Sequence, residues 1–327
     1  MRTATRFFIV GGAGFIGGHV SDHLLAQPEV EGVTVYDNFS SGREWHVAAH
    51  QNDGRFAVIR DDVRNLDALT EAMDGCDTVI HLASNPDIAA AATNPMIDFD
   101  QGTLLTQNVV EAMRRTGTAQ ILYASGSGVY GDLGEFEAYE DYGPMIPTST
   151  YGASKLAGEA LISSYCAMFG LTGCAFRFGN VVGPRQTHGV GFDFLRRLLA
   201  DDGHLTILGD GRQSKSYIHV SDVIAAVFLA AQLSERPFST YNVATGDYIT
   251  VTEIAELAIS AIGGSLDRTQ IHYTGGDRGW RGDVPIVRLN TERIRDLGWS
   301  NAMNTREALA SSLDALLVDF KNGNVSL

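Results

Sequence analysis

Gly11-Gly12-Ala13-Gly14-Phe15-Ile16-Gly17 is the stretch that decides how this chain is read. It follows the apolar run Phe7–Val10 and opens a segment in which Ile16, Val20 and Leu24 share one helical face. Gly11, Gly14 and Gly17 let the backbone turn tightly and approach a pyrophosphate, which the helix N-terminus then stabilises. The spacing is not the usual G-x-G-x-x-G, and 36 glycines make chance matches easy, so context must decide. Asp37 ends the second strand-like run twenty residues after Gly17, where a carboxylate accepts hydrogen bonds from an adenosine ribose. A carboxylate there repels a 2′-phosphate, so NAD is expected rather than NADP. Asp61-Asp62-Val63 follows the third run and is either a polar strand end or a contact for adenine.

Outward from this turn, strand-like and helix-period segments alternate. The runs Phe7–Val10, Val33–Asp37, Phe56–Arg60, Thr78–Leu82, Ile121–Ser125 and Ala175–Val181 are short and apolar. This βαβα order predicts an α/β fold, a doubly wound parallel sheet of the Rossmann type. After about Asn180 the rhythm loosens, and Gly209-Asp-Gly211, Gly263-Gly264 and Gly275-Gly276 mark turns between shorter elements. The expected division is a dinucleotide-binding domain over 1–179, to which 215–240 return. A smaller mixed α/β substrate-binding lid then takes 180–214 and 241–327.

The 327 residues, 44% hydrophobic, suffice for a sizeable core. No apolar stretch has the length of a membrane span, and the start Met-Arg-Thr-Ala-Thr-Arg has no secretory pattern. Cys76, Cys166 and Cys174 are odd in number and lack metal spacing, which fits reduced thiols in the cytoplasm. The nine histidines show no metal-ligand spacing either, so no metal is expected. A formal charge of −15 argues against nucleic acid or an anionic membrane as partner.

The second informative stretch is Tyr151-Gly-Ala-Ser-Lys155. On a helix, residues i and i+4 share a face, so Lys155 lies beside Tyr151. An ammonium there favours the phenolate and turns a weak base into a useful one. Alone, the pattern is equally a surface tyrosine and a solvated lysine. After the fifth strand of a dinucleotide domain it points to proton transfer.

Together these stretches resemble the extended short-chain dehydrogenase/reductases, in the nucleotide-sugar epimerase and dehydratase group, and within it the UDP-glucose 4-epimerases. The residues are Gly11–Gly17, Asp37-Asn38-Phe39-Ser40-Ser41-Gly42, His81-Leu82-Ala83-Ser84, Val129-Tyr130-Gly131, Tyr151–Lys155, Arg177-Phe178-Gly179-Asn180 and Ser216–Val220. The match runs through essentially the whole chain in order. The resemblance implies that Gly11, Gly14, Phe15, Ile16, Gly17, Asp37, Asn38, Ser40, Ser41, Gly42, Asp62, Val63, Leu82, Ala83, Ser84 and Phe178 contact NAD, with Tyr151 and Lys155. Tyr151 then takes a proton from a sugar hydroxyl as NAD accepts hydride from the same carbon; a keto-sugar forms, rotates, and is reduced on its other face. It implies, too, a homodimer paired through helices near Gly102–Arg114 and Tyr151–Met168. His81 is in this pattern a packed structural residue.

One departure stands out. The family carries Ser or Thr four residues before the tyrosine of Val-Tyr-Gly, to pass the proton and bind the reacting oxygen; here that position is Gly126. Ser125 and Ser127 flank it, and on a strand neighbours face opposite ways. Ser127 turns inward if Gly126 and Gly128 loosen the loop, whereas Ser125 is either a substrate contact or a core hydroxyl. The relatives that eliminate water carry Asp-Glu in this loop, where Ser127 and Gly128 stand here. That favours epimerisation of a UDP-hexose. The alternatives are uronate epimerisation or decarboxylation, or a non-catalytic sensor of NAD and nucleotide sugar. For the substrate, the resemblance implies Ser125, Gly126 and Ser127 near the sugar, Asn180, Lys215 and Arg278 at the diphosphate, and Thr206 and Leu208 at the base. Lys215 stands where most relatives have Arg.

Overall fold

The computed structural model describes residues 4–325. Met1, Arg2 and Thr3 of the N-terminal segment read above, and the last two residues of the expected lid, lie outside the described residues.

Seven strands form the central sheet, in the order Phe238–Val243, Thr172–Phe178, Gln120–Gly126, Thr78–His81, Arg6–Val10, Gly32–Asp37, Phe56–Arg60. The pairings from Gln120–Gly126 to Phe56–Arg60 are all parallel. Starting from Arg6–Val10, the chain adds strands to one side and then crosses to the other. That reversal leaves a switch point beside Arg6–Val10, where doubly wound sheets bind dinucleotides. The doubly wound expectation holds, and the strands fall within a residue or two of the predicted runs, except that the last is longer at its start and breaks at Gly179.

The inner strands are near-continuous apolar runs because both sheet faces are covered there, whereas the edge strand Phe56–Arg60 is partly exposed. Phe8, Val10, Tyr36 and Val79 pack with Leu69, Met73, Val109, Met113 and Ile162 from the flanking helices Leu66–Met73, Leu104–Thr116 and Thr150–Phe169. One helix N-terminus in this unit ties down its own backbone: Asn65 accepts from the Ala68 amide.

The chain divides into two compact units, 1–129 with 150–177 and 224–241, and 130–149 with 178–223 and 242–327. Apart from shifts of one or two residues at 178–179 and 241, the division differs from the sequence expectation in two places. Residues 130–149 join the second unit, where the strand Glu137–Ala138 pairs with Arg288–Leu289. Residues 215–223 also stay there, because Tyr217–His219 pairs with Asn180–Val182. The second unit has its own core of Phe194, Leu195, Leu205, Ile254, Ala258 and Leu313. Capping boxes at Thr250 and Asn304 start its helices Val251–Ala261 and Thr305–Lys321.

Candidate active site

The glycine turn is built for a close approach. Gly11 has φ +78°, and a Cβ there would lie 2.6 Å from the Ala83 amide nitrogen. The Leu82 and Ala83 amides both donate to the Val10 carbonyl, at 2.9 and 3.0 Å, so 82–84 run directly beside the turn. At Gly17 a Cβ would meet the Gly12 backbone at 2.5–2.7 Å. The helix Phe15–Leu25 starts at Gly14 with no side-chain cap and no acidic residue in its first turn. Its first amides keep their donors for an anion, and the dipole favours one. This cradle fits a dinucleotide pyrophosphate. Gly11→Ala is expected to cost about 1–2 kcal/mol in stability from the left-handed backbone alone. It should also leave the purified protein without bound NAD, measured by absorbance after denaturation; wild-type NAD content in that variant would contradict the assignment.

Asp37 is buried at the end of its strand, and its oxygens accept from the Ala13 and Phe39 amides at 2.9 and 2.8 Å. Burial pushes its carboxyl pKa up, against these two hydrogen bonds. The carboxylate thus orders the glycine turn, and its remaining lone pairs suit ribose hydroxyls. Asn38 closes a turn onto the Ser40 amide at 3.0 Å, leaving Ser40 and Ser41 exposed beside buried Gly42. Asp62 and Val63, expected at the adenine, follow the strand Phe56–Arg60. Val63 is a core side chain packed with the sheet. Asp62 is held well below the usual carboxylate range by Arg64, which it pairs at 2.7 Å, and it also accepts from Asn38.

Tyr151 and Lys155 lie on the helix Thr150–Phe169, with the Lys155 nitrogen 5.5 Å from the centre of the Tyr151 ring. The ammonium is not bonded to the phenol. It donates to the Ala124 carbonyl at 2.7 Å. The expected depression of the phenol is therefore not what this structure shows: burial pushes Tyr151 up to about 12, opposed by a hydrogen bond from Ser84 and helped by the charge of Asp98. Burial lowers Lys155 to about 8, against the charges of Glu159 and Asp98. Sequence spacing found the pair but not these surroundings, which come largely from distant segments. His81 is fully buried, bonds Thr106 at 3.1 Å, and is pushed down to about 3 by burial, as a structural residue should be.

Ser125 resolves toward the core. Its hydroxyl donates to Glu159 at 2.5 Å, and Glu159 also pairs Arg177 at 2.7 Å, all three side chains buried. It is committed to that pair, which corrects its place among the substrate contacts. Ser127 starts the short helical turn Ser127–Tyr130, and its hydroxyl bonds no other described residue. Gly126 ends the fifth strand with nothing within 4 Å of where a Cβ would be.

The remaining expected contacts lie in the second unit. Phe178 is buried; Asn180 is exposed and donates to the Ser216 carbonyl at 3.2 Å. On the strand His204–Ile207 and just beyond it, Leu205 and Ile207 are buried, Thr206 is half-buried and Leu208 is exposed, so Thr206 and Leu208 share the open face. Both candidate cations already hold carboxylates. Lys215 pairs buried Asp283 at 2.7 Å, and Arg278 pairs Asp132 at 2.7 Å while donating to the Asp283 carbonyl. Asp283 and Asp132 were invisible to sequence reading, because they lie 68 and 146 residues from their partners.

Residues 7–244 match the family model described as the NAD dependent epimerase/dehydratase family. A UDP-glucose 4-epimerase of Mycolicibacterium smegmatis is 31% identical over 319 residues, covering 94% of this chain and 97% of the relative. The crystal structure of a UDP-galactose 4-epimerase superposes with a TM-score of 0.85 at 32% identity, covering 96% of this chain and 99% of that one. The UDP-glucose 4-epimerase of Thermus thermophilus, in complex with NAD, gives 0.84 at 30% identity over 95% and 99%.

Proposed function

Since the chain belongs to the NAD dependent epimerase/dehydratase family, we propose that it is a UDP-hexose 4-epimerase. The observation that carries this is the Tyr151–Lys155 pair on a helix of the same unit as an uncapped glycine cradle. Relatives named UDP-glucose 4-epimerases at about 30% identity over nearly the whole chain support the substrate class.

NAD, when bound, supplies a reversible acceptor for hydride. The glycine turn and the amides of 14–17 hold its pyrophosphate, and Asp37 its adenosine ribose. Tyr151 takes the proton of the C4 hydroxyl and later returns one to the C4 oxygen. Its phenol, raised by burial, needs positive charge nearby to ionise near neutrality. Lys155 is the cation assigned to that role; its bond to the Ala124 carbonyl holds the ammonium 5.5 Å from the ring centre, beside the phenol and not bonded to it. Ser127 offers its free hydroxyl to the sugar. Asn180, Lys215 and Arg278 are assigned to the diphosphate, and Thr206 and Leu208 to the base. For Arg278 this requires exchanging Asp132 for phosphate, a swap between two exposed-side partners that costs little.

The homodimer is proposed through helices Leu104–Thr116 and Thr150–Phe169, near whose ends Met96, Phe99, Met168 and Phe169 are exposed apolar groups. A cytoplasmic setting is proposed on the three free cysteines; among the described residues no helix is long and apolar enough to cross a membrane.

The test is to incubate the NAD-loaded protein with UDP-glucose, UDP-N-acetylglucosamine and UDP-glucuronate separately and follow each by proton NMR. The 4-epimer of a UDP-hexose is expected. Loss of carbon dioxide or water instead would replace the proposed reaction, and no change with any sugar would favour a sensor.

A further inference from the structure

The family's hydroxyl position is empty in this chain, yet the Tyr151 phenol has a hydroxyl partner. Ser84 is the hydroxyl that faces it and opposes its upward shift. The place of Ser84 is set from both sides. On one side, Leu82 and Ala83 are bonded to Val10 and packed on the Gly11 turn. On the other stands Asp98, 1% exposed. Its Oδ1 accepts from Asn85 at 2.9 Å and its Oδ2 from Thr150 at 2.6 Å. Asn85 adjoins Ser84, and Thr150 adjoins Tyr151. A single buried carboxylate therefore holds the two segments that carry the pair. Asp98 immediately precedes a π-helical turn, Phe99–Thr103, an irregularity frequent at functional sites.

We propose that Ser84 is the hydroxyl that assists Tyr151 in proton transfer, in place of the side chain missing at Gly126, and that Asp98 positions the pair. This rests on the epimerase reading of Tyr151 as the base. The charge of Asp98 works against phenolate formation. With Ser84 donating, that charge is opposed at the phenol oxygen itself. Two other groups lie near this one: Lys155, on the same helix, and Tyr123, whose own ionisation Tyr151 opposes. His81 faces Lys155 and is neutral. A donor to a phenolate lowers its pKa, so Ser84 acts through Tyr151 as a positioning residue whether or not it meets substrate.

The experiment compares NAD-loaded wild type, Ser84→Ala, Ser84→Thr and the double variant Ser84→Ala with Gly126→Ser. Gly126 lacks a positive φ and has open space, so it accepts a serine. The first readout needs no substrate: ultraviolet difference titration against Tyr151→Phe isolates the ionisation of Tyr151. In Ser84→Ala it should move up by about one pH unit, and Ser84→Thr should bring it back. The second readout is turnover of UDP-glucose. Ser84→Ala should lose kcat by about 10²-fold with KM and NAD content little changed, and adding Gly126→Ser should recover about tenfold of it. An unmoved Tyr151 ionisation in Ser84→Ala overturns the proposal, as does full turnover in that variant. A wild type that does not epimerise UDP-hexoses defeats the proposed function instead, and the substrate-free titration still decides the role of Ser84.

Discussion

Tyr151→Phe is expected to lose about 10³-fold or more in kcat while keeping bound NAD and thermal stability. The change removes one oxygen and leaves the ring in place. The general-base contribution of such a group is typically 10²–10⁴-fold, and the charged side chains nearest the phenol are committed elsewhere. Lys155 is bonded to the Ala124 carbonyl, and the Asp98 carboxylate is filled by Asn85 and Thr150. The cradle proposed for NAD, built from Gly11, Gly14, Gly17 and Asp37, does not depend on the phenol oxygen. Kinetics with UDP-glucose, paired with NAD content and a melting curve, check this. More than a tenth of wild-type turnover in the variant would remove Tyr151 from the mechanism.

Arg177→Met should be the most damaging single change for stability, costing about 3–5 kcal/mol. The side chains of Arg177 and Glu159 are 3% and 5% exposed, and their paired atoms lie 2.7 Å apart. Glu159 also accepts from Ser125, so the pair ties the fifth strand, the helix Thr150–Phe169 and the strand Thr172–Phe178 together. Removing the guanidinium leaves a buried carboxylate bonded only to the Ser125 hydroxyl, with the Lys155 ammonium acting on it from further off. The double variant with Glu159→Leu should recover a large part of the loss, because it removes the stranded charge as well. Denaturant midpoints at fixed m-value check both. A single variant within about 1 kcal/mol of wild type would show that the pair is not held in the interior as described.

What could be read from the sequence was what rests on short-range pattern. The glycine turn followed a strand and opened a helix, and its residues needed no partner from elsewhere to be recognised. The inner strand runs were apolar because both sheet faces are covered there, and their alternation with helical segments pointed to the doubly wound topology. Tyr151 and Lys155 were legible because i,i+4 spacing places them on one helix face. What surrounds them was not. The sequence suggested that an ammonium beside the phenol would set its pKa, whereas burial dominates and Lys155 is turned to a backbone carbonyl. Ser84 read as a cofactor contact because no local rule connects it with Tyr151. Asp98 drew no attention at all, since a single aspartate before an irregular helical turn has no signature. Ser125 remained open between two roles until Glu159 was seen to hold it. In the second unit, Lys215 and Arg278, the cations expected at the diphosphate, hold carboxylate partners brought in by tertiary pairing.

The residues 130–149 illustrate the same limit for domain boundaries. They lie between two elements of the first unit and are free of any compositional break. Only the pairing of Glu137–Ala138 with Arg288–Leu289 assigns them to the second.

The most direct measurement uses UDP-glucose carrying deuterium at C4, incubated with the NAD-loaded protein in ordinary water and followed by NMR. The expected result is UDP-galactose with deuterium retained at C4 and none lost to solvent, because C4 is oxidised and reduced within a single bound state. Washout of the label, or an unchanged sugar nucleotide, would contradict the account.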